Sequence, residues 1–129
     1  DSGLVHALLG IETLDELLGH PIAGASWEGM VIESLLAVAP LRTRASFYRT
    51  AKGSEIDLVL DMGAKHGVWA IEIKRSTAPK VGKGYTLARE DIQPDRAYIV
   101  YGGTERYPKA DGIEVISLHD LATELSELS

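Results

Sequence analysis

Three short runs in the middle of the chain mix β-branched or aromatic residues with single polar positions, a pattern that predicts strands over 46–50, 56–60 and 68–74. The links between them, 51–54 and 62–67, are short and rich in glycine, so the strands read as an antiparallel meander joined by hairpins. Upstream, Trp27, Met30, Val31, Leu35, Leu36 and Val38 mark a helix over 27–38, with Ser26 as its N-cap and Pro40 as its stop. A shorter amphipathic helix around Leu14, Leu17 and Leu18 ends at Gly19 and Pro21. After the meander, a loop containing Pro79, Gly82 and Gly84 leads to a helix over 85–91. The apolar run 97–101 then returns as a buried strand, which calls for a crossover connection. A last strand over 112–116 precedes a terminal helix, in which Ser117 is the cap and Leu118, Leu121, Ala122 and Leu125 face inward.

The order of elements is helix, three strands, helix, strand, with additions at both ends, and the expected class is α/β with a mixed sheet flanked by helices. The 129 residues, 45% of them hydrophobic, suit a single domain over 1–129. No apolar run approaches the roughly 20 residues of a membrane span, and the first residues do not show the basic, apolar, small-residue pattern of a signal peptide. There is no cysteine, which excludes disulfides and thiolate chemistry and agrees with a soluble protein of the reducing cytoplasm. The opening Asp1-Ser2-Gly3-Leu4 lacks a methionine and reads as mid-protein sequence, so the expectation is a domain taken from a longer polypeptide.

Charge changes the picture of possible partners. The net charge of −6 argues against a polyanionic one, but the distribution does not. Residues 1–41 carry six acids and no Lys or Arg, 42–89 carry ten bases and four acids, and 90–129 carry nine acids and three bases. The middle of the chain is its one basic section.

Two of the four acids in that section, Asp57 and Glu72, are the candidates for chemistry. In a strand, side chains alternate between faces, so Glu72 and Lys74 point one way and Ile71 and Ile73 the other. Hydrolysis of a phosphodiester needs a hard cation to neutralise charge and activate water, and carboxylates such as Asp57 and Glu72 can hold Mg²⁺ or Mn²⁺ for that purpose. Lys74 is spaced to orient the attacking water, and Glu28 on the preceding helix is an accessory acid. Glu33 lies about 140° around the helix from Glu28 at roughly 100° per residue, so the two do not serve one site. Glu55 is a rival ligand beside the turn. An acid and a lysine two apart on a strand are often no more than a solvated polar face, and it is the company of Asp57 and Glu28 that gives the pair weight.

These residues also carry a likeness to a known family. Trp27-Glu28, the stretch from Tyr48-Arg49-Thr50 to Glu55-Ile56-Asp57-Leu58-Val59, and Ile71-Glu72-Ile73-Lys74-Arg75-Ser76 resemble DUF4143, a domain that follows an AAA-type ATPase module in many bacterial and archaeal proteins. DUF4143 is in turn similar to the PD-(D/E)XK nuclease superfamily, and the resemblance implies a restriction-endonuclease-like αβββαβ core. Carried over by position, it implies Glu28, Asp57, Glu72 and Lys74 as the catalytic set, with Asp57 and Glu72 as the metal ligands. Ile56 stands where the superfamily motif has proline, and Gln93, in a loop, is the candidate for a helix glutamine seen in some members. The ATPase half itself is not expected within these residues, because Gly82-Lys83-Gly84 lacks the spacing and the following hydroxyl of a phosphate-binding loop.

The functional expectation is a Mg²⁺-dependent nuclease-like domain acting on DNA as the C-terminal module of an ATPase. The alternative is a catalytically silent module that binds nucleic acid or a partner. Arg49, Lys52, Arg75, Lys80 and Lys83 are the candidate nucleic-acid contacts, with Tyr48, Arg42, Arg44 and Arg89 as further ones. The histidines, His6, His20, His66 and His119, are too scattered to suggest a metal cluster.

Overall fold

A computed structural model describes residues 27–128. Helix α1 (Trp27–Val38) leads into strands β1 (Arg44–Arg49), β2 (Glu55–Asp61) and β3 (Val68–Ile73), with a single helical turn α2 (Gly63–His66) between the last two. Helix α3 (Lys83–Ile92), strand β4 (Arg96–Tyr101), a two-residue strand β5 (Tyr107–Pro108), strand β6 (Ile113–Ser117) and helix α4 (Leu118–Ser126) complete it. The six strands form one sheet in the order β1-β2-β3-β4-β6-β5. Strands β1 to β3 are an antiparallel meander, β4 runs parallel to β3 after the α3 crossover, β6 is parallel to β4, and β5 is antiparallel to β6. The protein is therefore α/β, with a mixed sheet between helices. The shorter helix read around Leu14 to Leu18, and the Ser26 cap, lie outside the described residues.

Each face of the sheet has its own core. Val31, Leu35 and Val38 of α1 and Leu121 and Leu125 of α4 pack on Leu58, Leu60, Trp69, Ile71 and Ile73. On the opposite face Tyr85 and Ala88 of α3 cover Val59, Ala70, Ala97, Ile99 and Ile113. The central strands are apolar on both faces, as strands with helices on both sides must be, and only Glu72 breaks the run in β3. Helix α4 begins as expected, with the Ser117 hydroxyl accepting the Asp120 amide at 3.1 Å.

Several boundaries differ from the sequence reading. The glycine link 62–67 closes through a helical turn in which the Gly67 amide returns to the Gly63 carbonyl at 2.7 Å, so it is longer than a tight hairpin. Strand β1 begins two residues earlier than expected because Arg44 and Ala45 pair with Asp61 and Leu60. The short β5 was not anticipated: two residues carry too little periodicity to register.

Candidate functional site

The three residues singled out for chemistry in the meander meet where the β2–β3 ladder stops. Its last pair is Leu58 with Ile71, and one more step of the same register sets Asp57 opposite Glu72. There Asp57 Oδ2 accepts the Ile73 amide at 2.8 Å, a side chain taking over the bond that the backbone ladder no longer makes. The cause is a bulge. Between Ser46 and Tyr48, β1 advances two residues while β2 passes from Val59 to Ile56, so Asp57 and Leu58 together oppose Phe47. The extra residue bends β2 just where its carboxylate has to turn toward β3.

Glu72 shares the α3 side of the sheet with Ala70, while Ile71 and Ile73 join the α1 side, as strand alternation requires. It is only 8% exposed, an unusual place for a carboxylate. Its Oε1 lies 3.4 Å from Lys74 Nζ. Its Oε2 is buried and has no hydrogen-bond partner. Burial pushes the Glu72 carboxyl above the ordinary range, Lys74 opposes this, and Asp57 adds a smaller upward push. Lys74 sits one residue past β3, its amide donating to the Val100 carbonyl at 2.8 Å, so the lysine extends the parallel ladder while its side chain stays 39% exposed.

The N-terminus of α3 closes over this pair. A Cβ on Gly82 would stand 3.1 Å from Glu72 Oε1, so the N-cap glycine lets helix and carboxylate approach. A Cβ on Gly84 would overlap the carbonyl oxygen of Gly53, which packs the β1–β2 turn against the start of α3. Lys52 and Lys83 adjoin these two glycines and are exposed. Beneath them the Tyr85 hydroxyl lies between the carbonyls of Ala70, 2.8 Å away, and Tyr98, 3.1 Å away. Burial raises the Tyr85 pKa strongly, Arg89 opposes this and Glu72 reinforces it, so the phenol stays neutral and structural.

Glu28 is not drawn into this group. It is exposed in the first turn of α1, on the helix that covers the other face, and among the described residues it makes no ion pair or hydrogen bond. Its neighbour Trp27 does reach the site's edge, donating its indole N–H to the Lys74 carbonyl at 3.2 Å. Glu33 is exposed, and so is Glu55, whose Cβ lies against the Gly84 position. Among the described residues no group of three His, Asp or Glu side chains gathers as a metal site. Gln93 is in the left-handed region as the C-cap of α3, away from any helix face.

The candidate nucleic-acid contacts divide. Arg49, Lys52, Arg75, Lys80 and Lys83 are all exposed. Arg89 instead donates to the Asp111 carbonyl at 2.6 Å, and the Tyr48 hydroxyl bonds to Asp91 at 2.9 Å, so both serve the packing of α3. Gly82 and Gly84, which lack the spacing of a phosphate loop, prove to be the close-packing positions at the start of α3. Their signal, two glycines one residue apart at the start of a helix, marks close packing and was legible as such.

A family model described as "Domain of unknown function (DUF4143)" matches residues 23–121. An uncharacterized protein of Mycobacterium bovis and one of Mycobacterium tuberculosis are each 36% identical to the chain over 126 residues, covering 95% of it. The chain spans 27% of the length of either relative. No solved structure matches. With a family match running from ahead of α1 into α4 and taking in Asp57, Glu72 and Lys74, the chain belongs to the DUF4143 family.

Proposed function

We propose that this chain is a nuclease-like module that hydrolyses DNA phosphodiester bonds with the help of a divalent cation. The observation that carries the reading is the meeting of Asp57 and Glu72 at the end of the β2–β3 ladder with Lys74 Nζ 3.4 Å from Glu72. The likeness of DUF4143 to the PD-(D/E)XK superfamily supports it, as does an element order that accommodates that superfamily's αβββαβ core.

The residues suit a cation. Glu72 Oε2 is a buried carboxylate oxygen with no hydrogen-bond partner, the kind of atom that a hard cation would satisfy. Asp57 spends one oxygen on the Ile73 amide and keeps the other. Mg²⁺ or Mn²⁺ would be held by Asp57 and Glu72, and when bound would supply charge neutralisation and a more acidic water. Lys74 orients the attacking water, and Glu28 acts as an accessory acid at the edge of the site. Arg49, Lys52, Arg75, Lys80 and Lys83 supply phosphate contacts. In this reading the module follows an AAA-type ATPase in a longer cytoplasmic protein. That the relatives are several times longer supports the longer protein, and no described helix is long and apolar enough to cross a membrane.

A second reading is a catalytically silent module that binds nucleic acid or a partner. It is favoured by one arrangement: Lys74 is engaged by Glu72, while Glu28 stands apart from both. Incubation with plasmid and oligonucleotide in Mg²⁺ or Mn²⁺ separates the two. Cleavage that falls by about 10²-fold or more in both Asp57→Ala and Lys74→Ala supports the enzyme. Cleavage unchanged by either substitution sinks the catalytic assignment, and salt-sensitive binding without cutting favours the silent module.

A further inference from the structure

We infer that the β1 edge of the sheet is a docking surface for single-stranded DNA, with a base stacked on Phe47. This deepens the reading above by naming the form of the nucleic acid; it rests on that reading for the partner's class but not on cleavage.

Strand β1 is an outer strand of the sheet, with β2 on one side and no described strand on the other. Tyr48 is its single half-buried residue, turned to the α3 face, where its hydroxyl meets Asp91. Phe47 points the other way and is 68% exposed, although it is the chain's only phenylalanine. Opposite it lies the Asp57–Leu58 bulge, so the aromatic surface and the candidate carboxylate share one irregularity of the sheet. Arg49, two residues on, holds its guanidinium 5.4 Å from the Phe47 ring centre. Ala45, two residues back on the same side, leaves the approach to the ring clear.

Charge says what fits. Between Glu33 and Glu55 the chain carries Arg42, Arg44, Arg49 and Lys52 and no acid, in a protein of net charge −6. All four are exposed. A flat aromatic ring with a guanidinium beside it, on a strand whose exposed charges are all cationic, matches a polyanion that also offers flat apolar rings. Bases present those rings only when they are unstacked, which is the single-stranded condition. Duplex DNA would meet the same cations but could not use Phe47.

The test is fluorescence polarisation of labelled 20-nucleotide DNA, single-stranded and duplex, with the whole chain in EDTA so that nothing is cut. Base–aromatic stacking predicts that Phe47→Ala weakens single-strand binding by about ten-fold or more, that Phe47→Trp retains it, and that duplex binding is weaker and indifferent to both. Arg49→Ala should weaken both forms and flatten the salt dependence. Because Phe47 is largely exposed, circular dichroism should show each variant folded. Single-strand binding by Phe47→Ala equal to wild type overturns the inference. So does a shift of Phe47→Ala from dimer to monomer in sedimentation without change in DNA binding, which would make the edge a contact between copies of the chain. Loss of cleavage in the Asp57 and Lys74 variants beside unaltered binding in Phe47→Ala would overturn this surface alone and leave the nuclease reading standing.

Discussion

Asp57 Oδ2 accepts the main-chain N–H of Ile73 at 2.8 Å, so the carboxylate offered to chemistry is also the clasp that ends the β2–β3 ladder. Structure and site are joined in one side chain. Asp57→Ala leaves the amide without its partner, and denaturant unfolding should show a loss of about 1–2 kcal/mol. Asp57→Asn keeps an accepting oxygen and should lose less than half of that while losing cleavage to the same extent. Equal destabilisation by both would show that the bond matters less than the charge.

Trp27 ties α1 to the far end of β3 through its indole N–H and the Lys74 carbonyl. It is 6% exposed and begins the α1 core. Trp27→Ala should cost about 3–5 kcal/mol through lost packing. Trp27→Phe keeps most of the packing and should cost about 1 kcal/mol through the lost hydrogen bond, with a sharper fall in activity than in stability. A Trp27→Phe variant with normal cleavage would separate Lys74 from this tether.

Glu72 gives stability a particular pH dependence. Burial raises its carboxyl above the ordinary value in the folded state, so folding favours the protonated form. That contribution is fully present below the unfolded-state pKa and is lost as pH rises through the higher folded value. Glu72→Gln lacks the loss. Thermal melts should therefore place Glu72→Gln above wild type at pH 7, with the two curves converging as pH falls through the carboxylate range. A gap that widens on acidification would reverse the assigned sign.

The same melts repeated in Mg²⁺ test the cation. A cation on Asp57 and Glu72 binds the folded chain alone and raises Tm by mass action, about 2.7 kcal/mol at a hundred times its Kd. Wild type should gain and Glu72→Gln should not. A gain shared by both variants would place the cation elsewhere.

Gly84 meets the carbonyl of Gly53 with no room for a Cβ. Gly84→Ala should push the β1–β2 turn away from α3, at a cost of about 1–3 kcal/mol. Hydrogen exchange should report the change in 50–55 and 83–86 first. At Gly82 the clash is with a side-chain oxygen, so Gly82→Ala should be milder in stability and shift the Glu72 titration instead.

The strands around Asp57 and Glu72 were legible because each is a local pattern, and the family motif lies within them. The Ser117 cap and the inward leucines of α4 were legible for the same reason. What escaped was set by distant neighbours. The two-versus-one count at Asp57–Leu58 depends on β1, and the burial of Glu72 depends on the approach of α3 at Gly82. The exposure of Phe47 follows from its strand's place at the edge of the sheet, against the usual fate of a phenylalanine.

By itself the sequence determined the main helices and strands, their order and the alternation that puts Glu72 and Lys74 on one side, since these follow from side-chain period and turn chemistry over a few residues. Only the tertiary structure decided that Asp57 faces Glu72 across a terminated ladder, that Glu72 keeps a buried oxygen without a partner, and that Glu28 stays outside the group. Those are properties of register and burial, which arise when strands far apart in sequence pair and a helix closes over them.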